Sequence, residues 1–232
     1  MKSLSRLLCL AGLALVTLFS VERANAYTLT YNGAGLGQSV SISFGTNNYN
    51  GYAGQMNFTF TGGAGTPAGY PSSFIGYCVE LENGLVSPMD VLLRSTSDLT
   101  KNGISPNSGN QAAWLYNNFA SGVNSNVKGA ALQVAIWEVL YDGSYNLSSG
   151  YFKLNTVDAG LTSQVNTYIS ALQSNYSATN ATWFQAVNPA TSQDMIGPGS
   201  TNAIPEPGIM SLLAGSGFSS LMLVRRRYSR KK

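Results

Sequence analysis

Two hydrophobic periods divide this chain and limit what it can fold into. In its first third, Tyr27, Leu29 and Tyr31, then Val40, Ile42 and Phe44, then Met56, Phe58 and Phe60 each alternate with polar residues. A period of two puts such residues on one face of a half-buried strand. Asn-, Gly- and Pro-rich pieces at 45–51 and 61–72 separate the runs, and 74–81 reads as a further strand. The period then changes to 3.6. Ala112, Leu115, Tyr116 and Phe119 share a helical face within 110–120, and 129–141 is apolar on almost every side, which predicts a buried helix. A third helix at 158–175 presents Leu161, Val165, Tyr168, Ile169 and Leu172 on one side with polar residues opposite, and 183–187 returns as a strand. The expectation is an α+β fold: an antiparallel β layer packed with two or three helices.

The two ends carry a different signal. Lys2 and Arg6, an apolar run from Leu7 to Phe19, and Ala24-Asn25-Ala26 form a signal peptide, residues 1–26, with cleavage by signal peptidase after Ala26. The apolar run is shorter than the roughly 18–20 residues of a spanning helix. At the other end Pro205, Glu206 and Pro207 precede an apolar stretch from Gly208 to Val224 and then six Lys and Arg. This reads as a short transmembrane helix with its basic tail on the cytoplasmic side. In that order, tripeptide, apolar helix and basic tail resemble the PEP-CTERM sorting signal of Gram-negative bacteria, here residues 205–232. The resemblance implies processing by an exosortase, export through the inner membrane with only transient anchoring, and a final place at the cell surface or in the extracellular matrix of a biofilm.

Removing the ends inverts the charge. Of the 13 Lys and Arg, three lie in the signal and six in the tail, so Arg94, Lys101, Lys128 and Lys153 remain. Glu22 and Glu206 also leave, so the remainder carries a net charge of about −4. No nucleic-acid partner is expected of such a surface. Residues 27–187 read as one domain, and 188–204, rich in Pro, Ser, Thr and Gly without periodicity, as a linker to the membrane segment.

The chain has no histidine, which removes Ser-His-Asp and Cys-His catalysis and the commonest zinc sites. No metal, cofactor or catalytic residue is assigned, and the chain is read as not an enzyme. Cys9 leaves with the signal, so Cys78 is the one thiol of the exported part. It must be buried, paired with another chain or reacted. Alternation puts Ile75, Tyr77, Val79 and Leu81 on one face and Cys78 opposite, with Gly76 and Glu80. The second unusual residue is Gln133, which shares the apolar face of Ile136, Trp137 and Leu140. An unpartnered buried carboxamide costs on the order of 1–3 kcal/mol, so Gln133 needs a specific role, of which bonding to loop backbone is the ordinary one.

Tyr77-Cys78-Val79 in one segment and Leu132-Gln133-Val134-Ala135-Ile136-Trp137 in a later helix resemble the thioester domains of bacterial surface adhesins. The resemblance spans roughly 52–142 and implies a thioester between Cys78 as thiol and Gln133 as acyl donor. It further implies Tyr77, Trp137 and Trp114 as a water-excluding wall around the bond, and an amine-bearing surface or matrix target, with an exopolysaccharide hydroxyl as a slower acceptor. The function it implies is adhesion by covalent attachment. The alternative is a non-covalent structural or polysaccharide-binding matrix protein in which Cys78 only packs.

Overall fold

The computed structural model describes residues 26–101 and 107–201. The signal segment up to Asn25, the Pro205-Glu206-Pro207 motif and the apolar stretch behind it lie outside the described residues. Among those described, no helix is long and apolar enough to cross a membrane.

The strands are β1 (Tyr27–Phe44), β2 (Asn47–Thr61), β3 (Ser73–Cys78), β4 (Met89–Ser95), β5 (Phe152–Leu154), β6 (Thr182–Ala186) and β7 (Met195–Gly197). The helices are α1 (Ser108–Phe119), α2 (Asn126–Tyr141) and α3 (Ala159–Asn175). Every strand pairing is antiparallel, in the order β2-β3-β7-β6-β4-β1-β5, and β1 also pairs with β2. The expected β layer is thus closed into a ring of six strands, with β5 attached outside it.

The length of β1 makes the closure possible. Its first residues bond to β4 on one side (Thr28 opposite Asp90) and to β2 on the other (Thr28 opposite Thr61), while its far end pairs with β5 (Ile42 opposite Leu154). Irregularities at Tyr31/Gly33 and Ala34/Gly37 bend the long hairpin between these two tasks. The alternating residues Leu29, Val40, Ile42, Phe44, Met56, Phe58 and Phe60 are all buried, as their period predicts, and Tyr27 and Tyr31 are half-buried. Phe74 of β3 stacks on Phe184 of β6 with centroids 4.7 Å apart, and Phe60 of β2 packs against both. These rings tie together strands far apart in sequence.

Helix α2 forms the centre of the helical layer. Every residue from Gly129 to Tyr141 is buried, because α2 is packed against β1 and β2 on one side and α1 and α3 on others. Gly129 permits the close approach, since a Cβ there would collide with the Leu36 carbonyl oxygen of β1. The Ser125 hydroxyl accepts from the Lys128 N–H and starts the helix. On α3 the predicted stripe of Leu161, Val165, Tyr168, Ile169 and Leu172 is the buried one, and Asp158 accepts from the Leu161 N–H at its N-terminus.

Three differences from the sequence reading matter. Residues 47–51, read as a turn, continue β2, so the hairpin turn is confined to Gly45 and Thr46. Strand β4 carries no clear alternation and was not expected. The third difference bears on function: the segment from 188 to 201 is not a free linker. Ser192, Gln193, Asp194, Met195 and Ile196 are buried, and β7 lies between β3 and β6, with Met195 opposite both Cys78 and Phe184. A three-residue strand amid Ser, Thr, Pro and Gly is too short to display a period.

Candidate functional site

Cys78 ends β3 at the point where β7 joins it, and only 3% of it is exposed. The partners of its backbone N–H and carbonyl come from one side chain. The Cys78 N–H donates to Gln133 Oε1 at 2.9 Å, and Gln133 Nε2 donates to the Cys78 carbonyl at 2.7 Å. The carboxamide of Gln133, wholly buried on α2, therefore does for Cys78 what a neighbouring strand would do for its backbone. Backbone bonding was the ordinary role expected of this residue, though the backbone it meets is that of strand β3 and not of a loop.

The sulfur faces a different glutamine. Cys78 Sγ lies 2.6 Å from Gln193 Oε1 and 3.8 Å from Met56 Sδ. Gln193 Nε2 donates to the Glu80 carbonyl at 2.9 Å, which fixes the amide so that its oxygen faces the thiol. The resemblance had implied Gln133 as acyl donor. The geometry instead brings Gln193, from the segment read as a linker, against the sulfur, while Gln133 spends both ends of its amide on the Cys78 backbone.

Tyr77, Trp137 and Trp114, the implied wall, are each buried, and each packs against a further aromatic ring. Tyr77 packs edge-on to Tyr116 at 6.1 Å, Trp114 edge-on to Phe119 at 5.8 Å, and Trp137 against Phe152 at 6.4 Å. Met56, which lies against the sulfur, is itself buried. The site is nevertheless sealed, since Gln193 is 8% exposed and Met195, paired with Cys78, is fully buried.

Acidic groups surround this pair. The Val79 N–H donates to the Asp194 carbonyl at 3.0 Å, so the β3–β7 pairing continues past the ends of the strands. The Asp194 N–H donates to Glu80 Oε2 at 3.2 Å. Asp194 accepts from the Ala186 N–H at 2.9 Å and from Trp183 Nε1 at 3.0 Å. Lys101 Nζ lies 3.7 Å from both Glu80 Oε1 and Asp194 Oδ2. Beyond Glu80, the Tyr141 hydroxyl of α2 accepts from the Leu81 N–H at 2.9 Å and donates to Glu82 at 2.5 Å, fixing the chain that leaves Cys78.

Burial, followed by the charge of Glu80, pushes the Cys78 thiol far above its ordinary range, so at neutral pH it is an uncharged S–H that donates to Gln193 Oε1. Burial likewise raises Glu80; Lys101 opposes that shift, while Asp194 and Glu82 add to it. Among the described residues no group of three or more Cys, Asp or Glu could hold a metal ion. What the arrangement can do is acyl chemistry: a thiol in contact with the oxygen of a carboxamide, in a pocket that keeps water from the carbon between them.

No family model matches the chain, and no curated protein matches it either. Among solved structures it is similar to the N-terminal thioester domain of the fibronectin-binding protein SfbI from Streptococcus pyogenes, at 10% identity over 79% of this chain and 97% of that one, with a TM-score of 0.44. The chemical reading of the site rests on its own contacts.

Gln193 is the candidate site residue that sequence reasoning missed. A faint signal existed: Gln193-Asp194-Met195-Ile196 interrupts a stretch that otherwise lacks large apolar residues.

Proposed function

We propose that this chain is an exported surface or extracellular-matrix protein in which Cys78 and Gln193 close an internal thioester for covalent attachment to amines. The observation that carries the reading is the 2.6 Å contact between Cys78 Sγ and Gln193 Oε1 in a buried site. Closure joins the sulfur to Gln193 Cδ, breaks the Cδ–Nε2 bond, and passes the thiol proton to the departing nitrogen, which leaves as ammonia. An amine, typically of a lysine, then attacks the same carbon. The C–S bond breaks, an amide forms, and Cys78 regains a proton. Each protein molecule reacts once, so the role is adhesion and not turnover.

The histidine-free chain suits this reading, because acyl transfer from a thioester needs no imidazole. The end signals suit it as well: they would export the chain through the inner membrane of a Gram-negative cell, where signal peptidase would cut after Ala26 and an exosortase near Pro205-Glu206-Pro207, leaving the domain at the surface or in a biofilm matrix.

Intact mass of the purified mature chain tests the bond. The expected mass is lower by one ammonia, and both Cys78→Ala and Gln193→Ala restore it. Treatment with methylamine followed by fragmentation should place the methylamide on residue 193. A methylamide on residue 133 would reassign the donor, and an unshifted mass with a freely alkylated thiol would remove the thioester altogether.

A further inference from the structure

Among the described residues, Lys101 makes both ion pairs, and it makes them beside the acyl site. Its ammonium lies 3.7 Å from each carboxylate, longer than the roughly 2.7–2.9 Å of a charge-assisted hydrogen bond. Among the described residues it is paired by charge without being locked by hydrogen bonds. The carboxylates, in contrast, are held by the fold. Glu80 accepts from Asp194 N and Asn83 Nδ2, and Asp194 from Ala186 N and Trp183 Nε1. The acidic notch thus has its own scaffold, and its ammonium is replaceable.

The location of the notch points to a ligand. Continued pairing past β3 places Glu80 opposite Gln193 and on the same face as Cys78, and the Gln193 amide nitrogen rests on the Glu80 carbonyl. The carbon to be attacked is sealed, as are Cys78 and Gln193. Lys101 is the more exposed member of the cluster, its side chain 18% accessible against 11% for Glu80 and 6% for Asp194, so solvent reaches the notch past Lys101. Two carboxylates facing one ammonium leave an unbalanced negative charge, to which Glu82 adds. An amine arriving in water is itself a cation, and among the described residues Glu80 and Asp194 present a partly open anionic notch beside the acyl group.

We propose that Glu80 and Asp194 form the docking site for the ammonium group of the incoming amine, and that Lys101 is its resident occupant, displaced before acyl transfer. The proposal rests on the thioester reading and names the residues that select the nucleophile. In the exchange, the target's ammonium replaces that of Lys101 and gives one proton to Glu80. The neutral nitrogen attacks Gln193 Cδ, the C–S bond breaks with its electron pair passing to sulfur, and the second nitrogen proton goes to Cys78. Glu80 then releases its proton to water.

The test compares two nucleophiles at neutral pH on the mature chain: methylamine, a cation, and hydroxylamine, which is neutral. Starting masses are recorded first, then the rate of mass gain. Lys101→Met should accelerate methylamine by roughly three- to tenfold, the weight of one partly buried ion pair, and leave hydroxylamine almost unchanged. Glu80→Gln and Asp194→Asn should each slow methylamine by a similar factor with hydroxylamine again unaffected, while Lys101→Arg, which keeps the plug, behaves as wild type. Equal changes for both nucleophiles, or slower methylamine with Lys101→Met, would show a simple structural clamp and overturn the docking site. So would a wild-type chain already light by one ammonia yet inert to both reagents with an alkylatable thiol, since Lys101 would then have been acylated itself. An unshifted starting mass overturns the thioester reading instead, and the docking site with it.

Discussion

Two segments present a glutamine to the same cysteine, and they differ in almost every other respect. Gln133 sits on α2, a helix buried on all sides, where its amide spans the N–H and carbonyl of Cys78. Gln193 sits in an irregular run before the three-residue β7, where its oxygen meets the Cys78 sulfur. The first holds the backbone of the cysteine; the second meets its sulfur. A rigid helix suits the positioning task, because its register is set by the whole apolar surface around it. Gln193 instead lies just before the last described strand, which enters the ring between β3 and β6.

The sharpest way to break this contrast is to delete residues 188–201. A linker can be shortened without effect, but removal of β7 takes the partner of both β3 and β6 out of the ring, together with buried Met195 and Ile196. The truncated chain should lose cooperative thermal unfolding and its near-ultraviolet dichroism. A native-like melting curve would return this segment to the status of a tether.

Gln133→Leu comes next in size. It preserves volume and apolar packing but strips the Cys78 N–H and carbonyl of their partners, at about 1–3 kcal/mol for each group, measurable as a lower urea midpoint. Unchanged stability would mean that α2 does not position the cysteine through this amide.

A pH dependence of α2 itself sharpens the comparison further. Glu138 is fully buried, with Oε1 accepting from the Asn146 N–H and Oε2 without a partner. Burial, with Asp142 adding, raises its pKa from 4.5 to about 7. The folded state therefore binds this proton more tightly than the unfolded chain does. The contribution is fully present below about pH 4.5 and is lost as the pH rises towards 7. Denaturation midpoints should fall across that window, and Glu138→Gln should flatten the fall. An unaltered slope in the variant would assign the dependence to other groups.

In a Cys78→Ala background, where no thioester can close, Gln193→Ala should have the smallest effect on stability, about 1 kcal/mol, since it then removes mainly the bond to the Glu80 carbonyl. A loss as large as that of Gln133→Leu would make Gln193 a structural residue like its counterpart.

Much of the fold was readable in the residues themselves. The alternation of Val40, Ile42 and Phe44 and of Met56, Phe58 and Phe60 marks buried strand faces because side chains on a strand have a fixed period of two. The stripe on α3 and the all-round apolarity of 129–141 were equally direct. Cys78 as the notable thiol, and Gln133 as a buried polar group in need of partners, followed from composition and spacing. The identity of the group facing the sulfur was not readable. Gln193 lies 115 positions from Cys78, in a run with no period to reveal that it is buried. A resemblance covering 52–142 does not reach Gln193.

By itself, then, the sequence determined local matters: which stretches are strands and helices, which faces turn inward, and that histidine chemistry is impossible. Tertiary structure alone decided that β1 closes the sheet on itself, that β7 enters between β3 and β6, and that Lys101 lies between Glu80 and Asp194. The physical reason is range. Periodicity is enforced by covalent geometry over a few residues, whereas the neighbours of Cys78 Sγ are set by packing and pairing among segments whose separation along the chain leaves no trace in either one.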